Sequence, residues 1–369
     1  MAVEDTFPEP LVYEPTSGIQ KHTIILLHGR GGSADAFGPA LLNTALPIKD
    51  TGNGRIESCP HESRTDPPAG DGASGKLPNP NRPTTLAHAL PHARFVFPTA
   101  PKQRATVYKR SIIRQWFDDW HLGFTADEVD SRYDLGLQTT GMGRTVAYLH
   151  SLIAREAGVI GGSRNVILGG ISQGCAVSLV ASLLWEGEDG LGGVVGMCGW
   201  LPYISEMRRQ LLAGEGDELR SSASGKDQED EAGFDPFDRS GSPDCVVESP
   251  GGIDAGGSVT AALEWLRAEI ELPCRRPAAL GGHKSITPAI MSPGRDDGKV
   301  EITKGEEAVH FLPALGMGPV HFREYAAVGH EFSAEMLFDI ADFIQDCTLQ
   351  AIELKLTPQL LDQRPGHFC

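Results

Sequence analysis

The sequence predicts an α/β fold, a mostly parallel, doubly wound sheet with helices on both faces. Short continuous apolar runs, Thr23-Ile-Ile-Leu-Leu27 foremost, suit parallel strands buried on both faces. Segments with apolar residues at helical spacing alternate with those runs, as in a sheet built from strand–helix–strand units. The stretch from Asn165 to Cys175 passes from an apolar run through a glycine-rich turn into a helix-compatible segment.

Each element follows in chain order. Thr23–Leu27 is the first strand, ending at His28-Gly29. Residues 47–91 are rich in Pro, Gly, Asn and Asp and lack periodicity, which predicts a surface insertion. Arg94-Phe-Val-Phe-Pro98 is a second strand. Met142, Val146, Leu149 and Ile153 repeat at helical spacing and predict an amphipathic helix to about Gly158. Val166–Leu168 predicts a strand and Gln173–Leu184 a helix, followed by a buried strand over Gly193–Cys198. Residues 213–257 are rich in Gly, Ser, Asp and Glu. They cannot bury enough apolar surface to offset ordering, so an acidic, disordered insertion is expected. Val259–Glu271 predicts a helix, and Thr287–Met291 and Val320–Tyr325 predict strands. The last helix carries Met336, Leu337, Ile340, Phe343, Ile344 and Cys347 on one face. The expected organisation is a single domain over 1–369 interrupted by the two insertions.

Composition narrows the function classes. The formal charge of −17 argues against a nucleic-acid partner. More than half of it sits between Glu215 and Asp254, where 12 acidic residues meet only Arg220, Lys226 and Arg239. No apolar run approaches the ~20 residues that span a bilayer. The start of the chain lacks the basic and apolar regions of a signal peptide. Seven cysteines without a C-x-x-C pair predict reduced thiols, a cytoplasmic location and no zinc site.

The chemistry centres on Gly170-Ile-Ser-Gln-Gly174, a G-x-S-x-G pattern between a strand and a helix. That context holds a serine hydroxyl exposed on a sharp turn, although a serine there could equally serve as a helix cap. Acyl transfer by serine also needs a base, a carboxylate to orient it and donors for the oxyanion. His330 follows a strand and precedes the last helix, where a general base would stand; His310 and His321 fall inside a helix and a strand. Arg295-Asp-Asp-Gly-Lys-Val300 follows the preceding strand and supplies the acid, with Asp296 and Asp297 both available. The chain order Ser…Asp…His is that of α/β-hydrolases. A competing pattern is Gly29-Arg-Gly-Gly-Ser-Ala34, a nominal dinucleotide fingerprint with Asp50 beyond it. The same turn can instead complete an oxyanion hole.

Taken together, the chain resembles the acyl-protein thioesterase / lysophospholipase–carboxylesterase family of α/β-hydrolases. The resemblance lies in His28-Gly-Arg-Gly31, Phe97-Pro-Thr-Ala-Pro101, Gln115-Trp-Phe-Asp118, Leu168–Gly174, Gly199-Trp-Leu-Pro202, Asp297-Gly-Lys-Val300 and Gly329-His330. It implies a triad of Ser172, Asp297 and His330, and an oxyanion hole from the backbone N–H groups of Arg30 and Gln173. It implies no cofactor and an acyl ester or thioester substrate, such as an S-acylated protein or a lysophospholipid. Trp116, Phe117, Trp200 and Leu201 are the expected substrate contacts. The chain departs from the family at Arg30, where an apolar residue is usual, and in the loop where Asp297 comes 14 residues after His283. A catalytically silent interaction protein with the hydrolase fold, or a nucleotide-dependent oxidoreductase using Gly29–Gly31, are the alternatives.

Overall fold

The computed structural model of the chain describes residues 6–48, 84–119, 136–187, 189–222, 255–273 and 286–361. Its strands are β1 (Leu11–Tyr13), β2 (His22–Leu27), β3 (Ala93–Phe97), β4 (Lys102–Ala105), β5 (Ser111–Arg114), β6 (Val166–Ile171), β7 (Gly193–Met197), β8 (Ala289–Ser292) and β9 (Val320–Phe322). Seven of them form one sheet in the order β1-β3-β2-β6-β7-β8-β9, and β4 and β5 form a separate antiparallel hairpin. Only β1 runs antiparallel, along β3; the other neighbours in the large sheet are parallel. Every residue of β2, β6, β7 and β8 is buried, as their continuous apolar character requires.

The helices are α1 (Ala34–Asn43), α2 (Leu86–Ala89), α3 (Thr139–Ile160), α4 (Gln173–Leu183), α5 (Ile204–Ser222), α6 (Ala255–Glu269), α7 (Ile302–Phe311) and α8 (Ala334–Leu361). Successive strand residues point to opposite faces, and both faces of the sheet are covered. Ile24 and Leu26 join Phe37 and Leu41 of α1 and Met336, Leu337, Ile340 and Ile344 of α8 in one core. On the other face α3 and α4 pack on each other and on β2 and β6. The four apolar residues that predict α3 are all fully buried.

Some boundaries differ from expectation for local reasons. β8 starts after Pro288, which has no N–H to give a ladder, although its carbonyl accepts from Val194 N–H at 2.9 Å. After β9 pairing lapses to one isolated bridge between Gly294 and Tyr325. The expected Pro/Gly insertion closes before residue 91, because Leu86 and Leu90 return to the core; residues 49–83 lie outside the described residues. The acidic segment expected at 213–257 is helical at its ends, to Ser222 in α5 and from Ala255 in α6. Residues 223–254 lie outside the described residues. Contacts group the chain into a larger unit, Met1–Pro202 with Arg267–Cys369, and a smaller one, Tyr203–Leu266. Within the smaller unit the Tyr203 and Trp265 rings meet edge to face, 6.3 Å apart. No helix among the described residues is long and apolar enough to cross a membrane.

Two buried histidines make the fold acid-sensitive. Burial, aided by His92 and Lys21, pushes His22 down to about 4, and both its ring nitrogens lack a partner among the described residues. Burial likewise pushes His28 down to about 4. Both are neutral when folded yet take up a proton when unfolded from about pH 6.5 downward. Stability is therefore fully present above that pH and lost as pH falls towards 4, by up to about 3 kcal/mol from each. The His22→Leu variant is expected to lose about 2 kcal/mol less than the parent between pH 7 and 4.5 in urea unfolding. Equal losses in both proteins would show that His22 does not carry the acid sensitivity.

Candidate active site

Ser172 sits between β6 and α4 with φ 58° and ψ −122°, a left-handed conformation that costs a side-chain-bearing residue on the order of 1–3 kcal/mol. Its neighbours hold it there. Ser172 N–H donates to Met197 O at 2.9 Å, and Ser172 O accepts from Ala176 N–H at 3.1 Å. A Cβ on Gly170 or on Gly174 would lie 2.5 Å from Leu27 O, so the G-x-S-x-G spacing is dictated by the adjoining strand.

His330 stands on the loop between β9 and α8, and Asp297 on the loop after β8. His330 Nε2 is 2.9 Å from Ser172 Oγ, and His330 Nδ1 is 2.8 Å from Asp297 Oδ2. An ionised carboxylate only accepts, which assigns the ring proton to Nδ1 and leaves Nε2 to accept from the Ser172 hydroxyl. Asp297 Oδ1 accepts from the N–H groups of Lys299 at 2.8 Å and Val300 at 3.0 Å. Burial alone would raise the Asp297 pKa. The hydrogen bonds from His330, Val300 and Lys299 outweigh it and hold the carboxyl below its ordinary range. Asp296 is exposed, with its N–H donating to Val328 O at 3.0 Å.

The Cys198 thiol, at the end of β7, donates to Glu331 O at 3.3 Å and Gly329 O at 3.7 Å, the carbonyls flanking His330. Burial pushes this thiol up to about 12, so it remains a donor. Nothing in the local sequence marks that tie, because its partners lie more than 130 residues away.

The loop after β2 is braced from several sides. His28 Nδ1–H donates to Gly29 O at 2.7 Å, and His28 Nε2 accepts from Ala100 N–H at 3.0 Å. Gly31 N–H donates to Arg114 O at 2.7 Å, and Trp116 Nε1–H donates to His28 O at 2.7 Å. The Gln173 side chain accepts from Trp116 N–H at 2.9 Å and donates to Phe117 O at 2.7 Å. Among the described residues the N–H groups of Arg30 and Gln173 donate to no protein acceptor. The Gly29–Gly31 loop packs on Ser172, where a Gly29 Cβ would touch Ser172 Cβ at 3.4 Å. Asp50, its expected nucleotide partner, lies outside the described residues.

Ser172 and His330 open onto a cavity of about 770 Å³, whose walls include Arg30, Asp119, Trp200 and Phe37. Of the four residues expected to contact substrate, only Trp200 lines it. Trp116 and Phe117 are 0% exposed and Leu201 is 3% exposed, which corrects that expectation. The Trp116 indole N–H needs an acceptor, and the His28 carbonyl supplies one in the interior. Phe117 packs edge to face on Trp200 at 6.4 Å, so it supports the wall from behind.

The fold is that of the class of α/β-hydrolases. Within that class the chain is related to the phospholipase/carboxylesterase family, which it matches over residues 70–214. Acyl-protein thioesterase 1 of Yarrowia lipolytica is 34% identical over 116 residues, 31% of this chain and 47% of that protein. Carboxylesterase SOBER1 of Arabidopsis thaliana is 30% identical over 142 residues, 38% and 58% of the two chains. A probable inactive carboxylesterase of Oryza sativa is 31% identical over 131 residues, 36% and 49%. The chain thus spans about half the length of the curated relatives it matches. Among solved structures, esterase PE8 superposes with a TM-score of 0.50 at 17% identity, over 92% of this chain and 98% of that one, a likeness of fold alone.

Proposed function

We propose that this protein is a serine hydrolase that cleaves acyl esters or thioesters through an acyl-enzyme, in a single α/β-hydrolase domain carrying two insertions. The observation that carries this reading is the hydrogen-bonded line Ser172–His330–Asp297, at 2.9 Å and 2.8 Å, opening onto the cavity. In the proposed cycle His330 Nε2 takes the Ser172 proton as Oγ attacks the acyl carbonyl. The N–H groups of Arg30 and Gln173 receive the oxyanion, and His330 returns its proton to the leaving alcohol or thiol. Water deprotonated by His330 then attacks the acyl-enzyme and releases the acid. Asp297 holds the Nδ1–H tautomer and stabilises the imidazolium. S-acylated proteins and lysophospholipids are the candidate physiological substrates.

The rice relative termed inactive supports one second reading, a silent interaction protein on the same fold. A fluorophosphonate probe separates the two. Stoichiometric labelling that maps to Ser172 is the expected result; folded protein that takes no label would favour the silent reading.

A further inference from the structure

The hydrolytic cycle leaves unused a group of charges in the cavity wall. Arg30 and Asp119 both line the cavity, with Arg30 Nη2 3.2 Å from Asp119 Oδ2. Asp119 is buried, and its Oδ1 accepts from Gln138 Nε2 at 2.8 Å, so the carboxylate is held from two sides. The Arg30 side chain is only 16% exposed, yet its Nε has no hydrogen-bond partner among the described residues. Lys299 lines the cavity from the loop that carries Asp297, and its ammonium is in no ion pair among the described residues. Asp297 commits its oxygens to His330, Lys299 N–H and Val300 N–H. Among the described residues the lining therefore holds two cations against one carboxylate, on a chain whose formal charge is −17.

An alkyl chain laid on this wall would displace water from Arg30 Nη1 and replace it with nothing that accepts. Leaving a desolvated donor of a charged group unsatisfied offsets what about one or two methylenes gain from burial. An acyl group ending in a carboxylate would do the reverse. Its oxygens would accept from the Arg30 Nη1 donors, which Asp119 leaves unpaired and which, unlike the buried Nε, are not shut off from the cavity, with Lys299 adding a second positive charge. We infer that Arg30, oriented by Asp119 and assisted by Lys299, is a specificity-determining residue that selects short acyl groups with a terminal carboxylate. This inference rests on the hydrolase reading of the same site.

The test compares p-nitrophenyl hydrogen adipate with p-nitrophenyl hexanoate, equal in acyl length and differing in the terminal charge. The parent is expected to favour the adipate at least about tenfold in kcat/KM, and Arg30→Leu to reverse the preference. Lys299→Gln, at an exposed position where misfolding is not at issue, is expected to lower the ratio about threefold or more. A third ester, 3-carboxyphenyl hexanoate, carries the carboxylate on the alcohol side. Selective cleavage of that ester alone would overturn the acyl assignment, as would parental preference for hexanoate. Calorimetric titration with adipate and hexanoate reads the wall without turnover: adipate should bind the parent and not Arg30→Leu. If no ester is cleaved but adipate binds in this pattern, the hydrolase reading fails and the anion site stands. If p-nitrophenyl acetate is cleaved and adipate binds no better than hexanoate, the reverse holds.

Discussion

The Ser172→Ala variant is expected to lose p-nitrophenyl ester hydrolysis by a factor on the order of 10⁵–10⁶ in kcat while remaining folded. The size follows from the way the proposed triad works as one unit. Without Oγ, His330 has no hydroxyl at 2.9 Å to deprotonate, and no acyl-enzyme can form. What remains is water attack helped by the oxyanion donors. Folding should survive because the elbow is held by backbone bonds, Ser172 N–H to Met197 O and Ala176 N–H to Ser172 O, which alanine keeps. Hydrolysis within about tenfold of the parent would end the assignment of Ser172. The backbone predicts a companion effect. With φ at 58°, Ser172→Gly should relieve part of the strain and raise the unfolding free energy by about 1 kcal/mol while abolishing activity just as fully. A glycine variant less stable than the alanine variant would show that the elbow stores no such strain.

The central strands are legible in the sequence because burial on both faces demands continuous apolar runs, and Thr23–Leu27 and Gly193–Cys198 are such runs. The ends of the sheet are harder to read. β1 is three half-buried residues, and its place is set by pairing with β3, more than eighty residues away. The β4–β5 hairpin, with Lys102, Arg104 and Arg114 interleaved among small and apolar residues, has no periodicity that separates it from a loop. At the site, Ser172 and His330 are marked by their strand-to-helix contexts. Trp116 carries no such mark, because an aromatic in a loop can face a ligand or the core with the same local sequence. Its indole N–H bonds to His28 O across 88 residues, and its backbone N–H to Gln173 Oε1 across 57. Cys198 is silent in the sequence for the same reason: its thiol matters through two carbonyls on a distant loop.

The adjacent carboxylates Asp296 and Asp297 give the second large effect. Asp297→Asn is expected to lower kcat on the order of 10³–10⁴-fold, because an amide can donate to Nδ1 and favour the tautomer that carries its proton on Nε2. In that tautomer His330 has no lone pair facing Ser172 Oγ. The loss should come without unfolding, since asparagine has the shape of aspartate and its side-chain oxygen can still accept from Lys299 and Val300 N–H. Asp296→Asn should stay within about tenfold of the parent, as befits an exposed carboxylate on a turn whose backbone N–H, and not its side chain, bonds to Val328 O. Asp297 also has a signature in its pH dependence. Asp297 is held below the ordinary carboxylate range, so it stays ionised as pH falls through the range where a free carboxylate takes up its proton. Its contribution to stability is therefore fully present above that range and is lost as pH falls through it towards the lowered folded value, while the ionised form that activity needs persists further down. The measurement is kcat on a short p-nitrophenyl ester for both variants, with urea unfolding as the control for folding. The reverse ranking would move the orienting acid to Asp296, against the 2.8 Å contact between Asp297 Oδ2 and His330 Nδ1. Near-parental rates in both variants would mean that His330 needs no carboxylate from this loop, and that the line from Ser172 to Asp297 is a packing arrangement without a part in turnover.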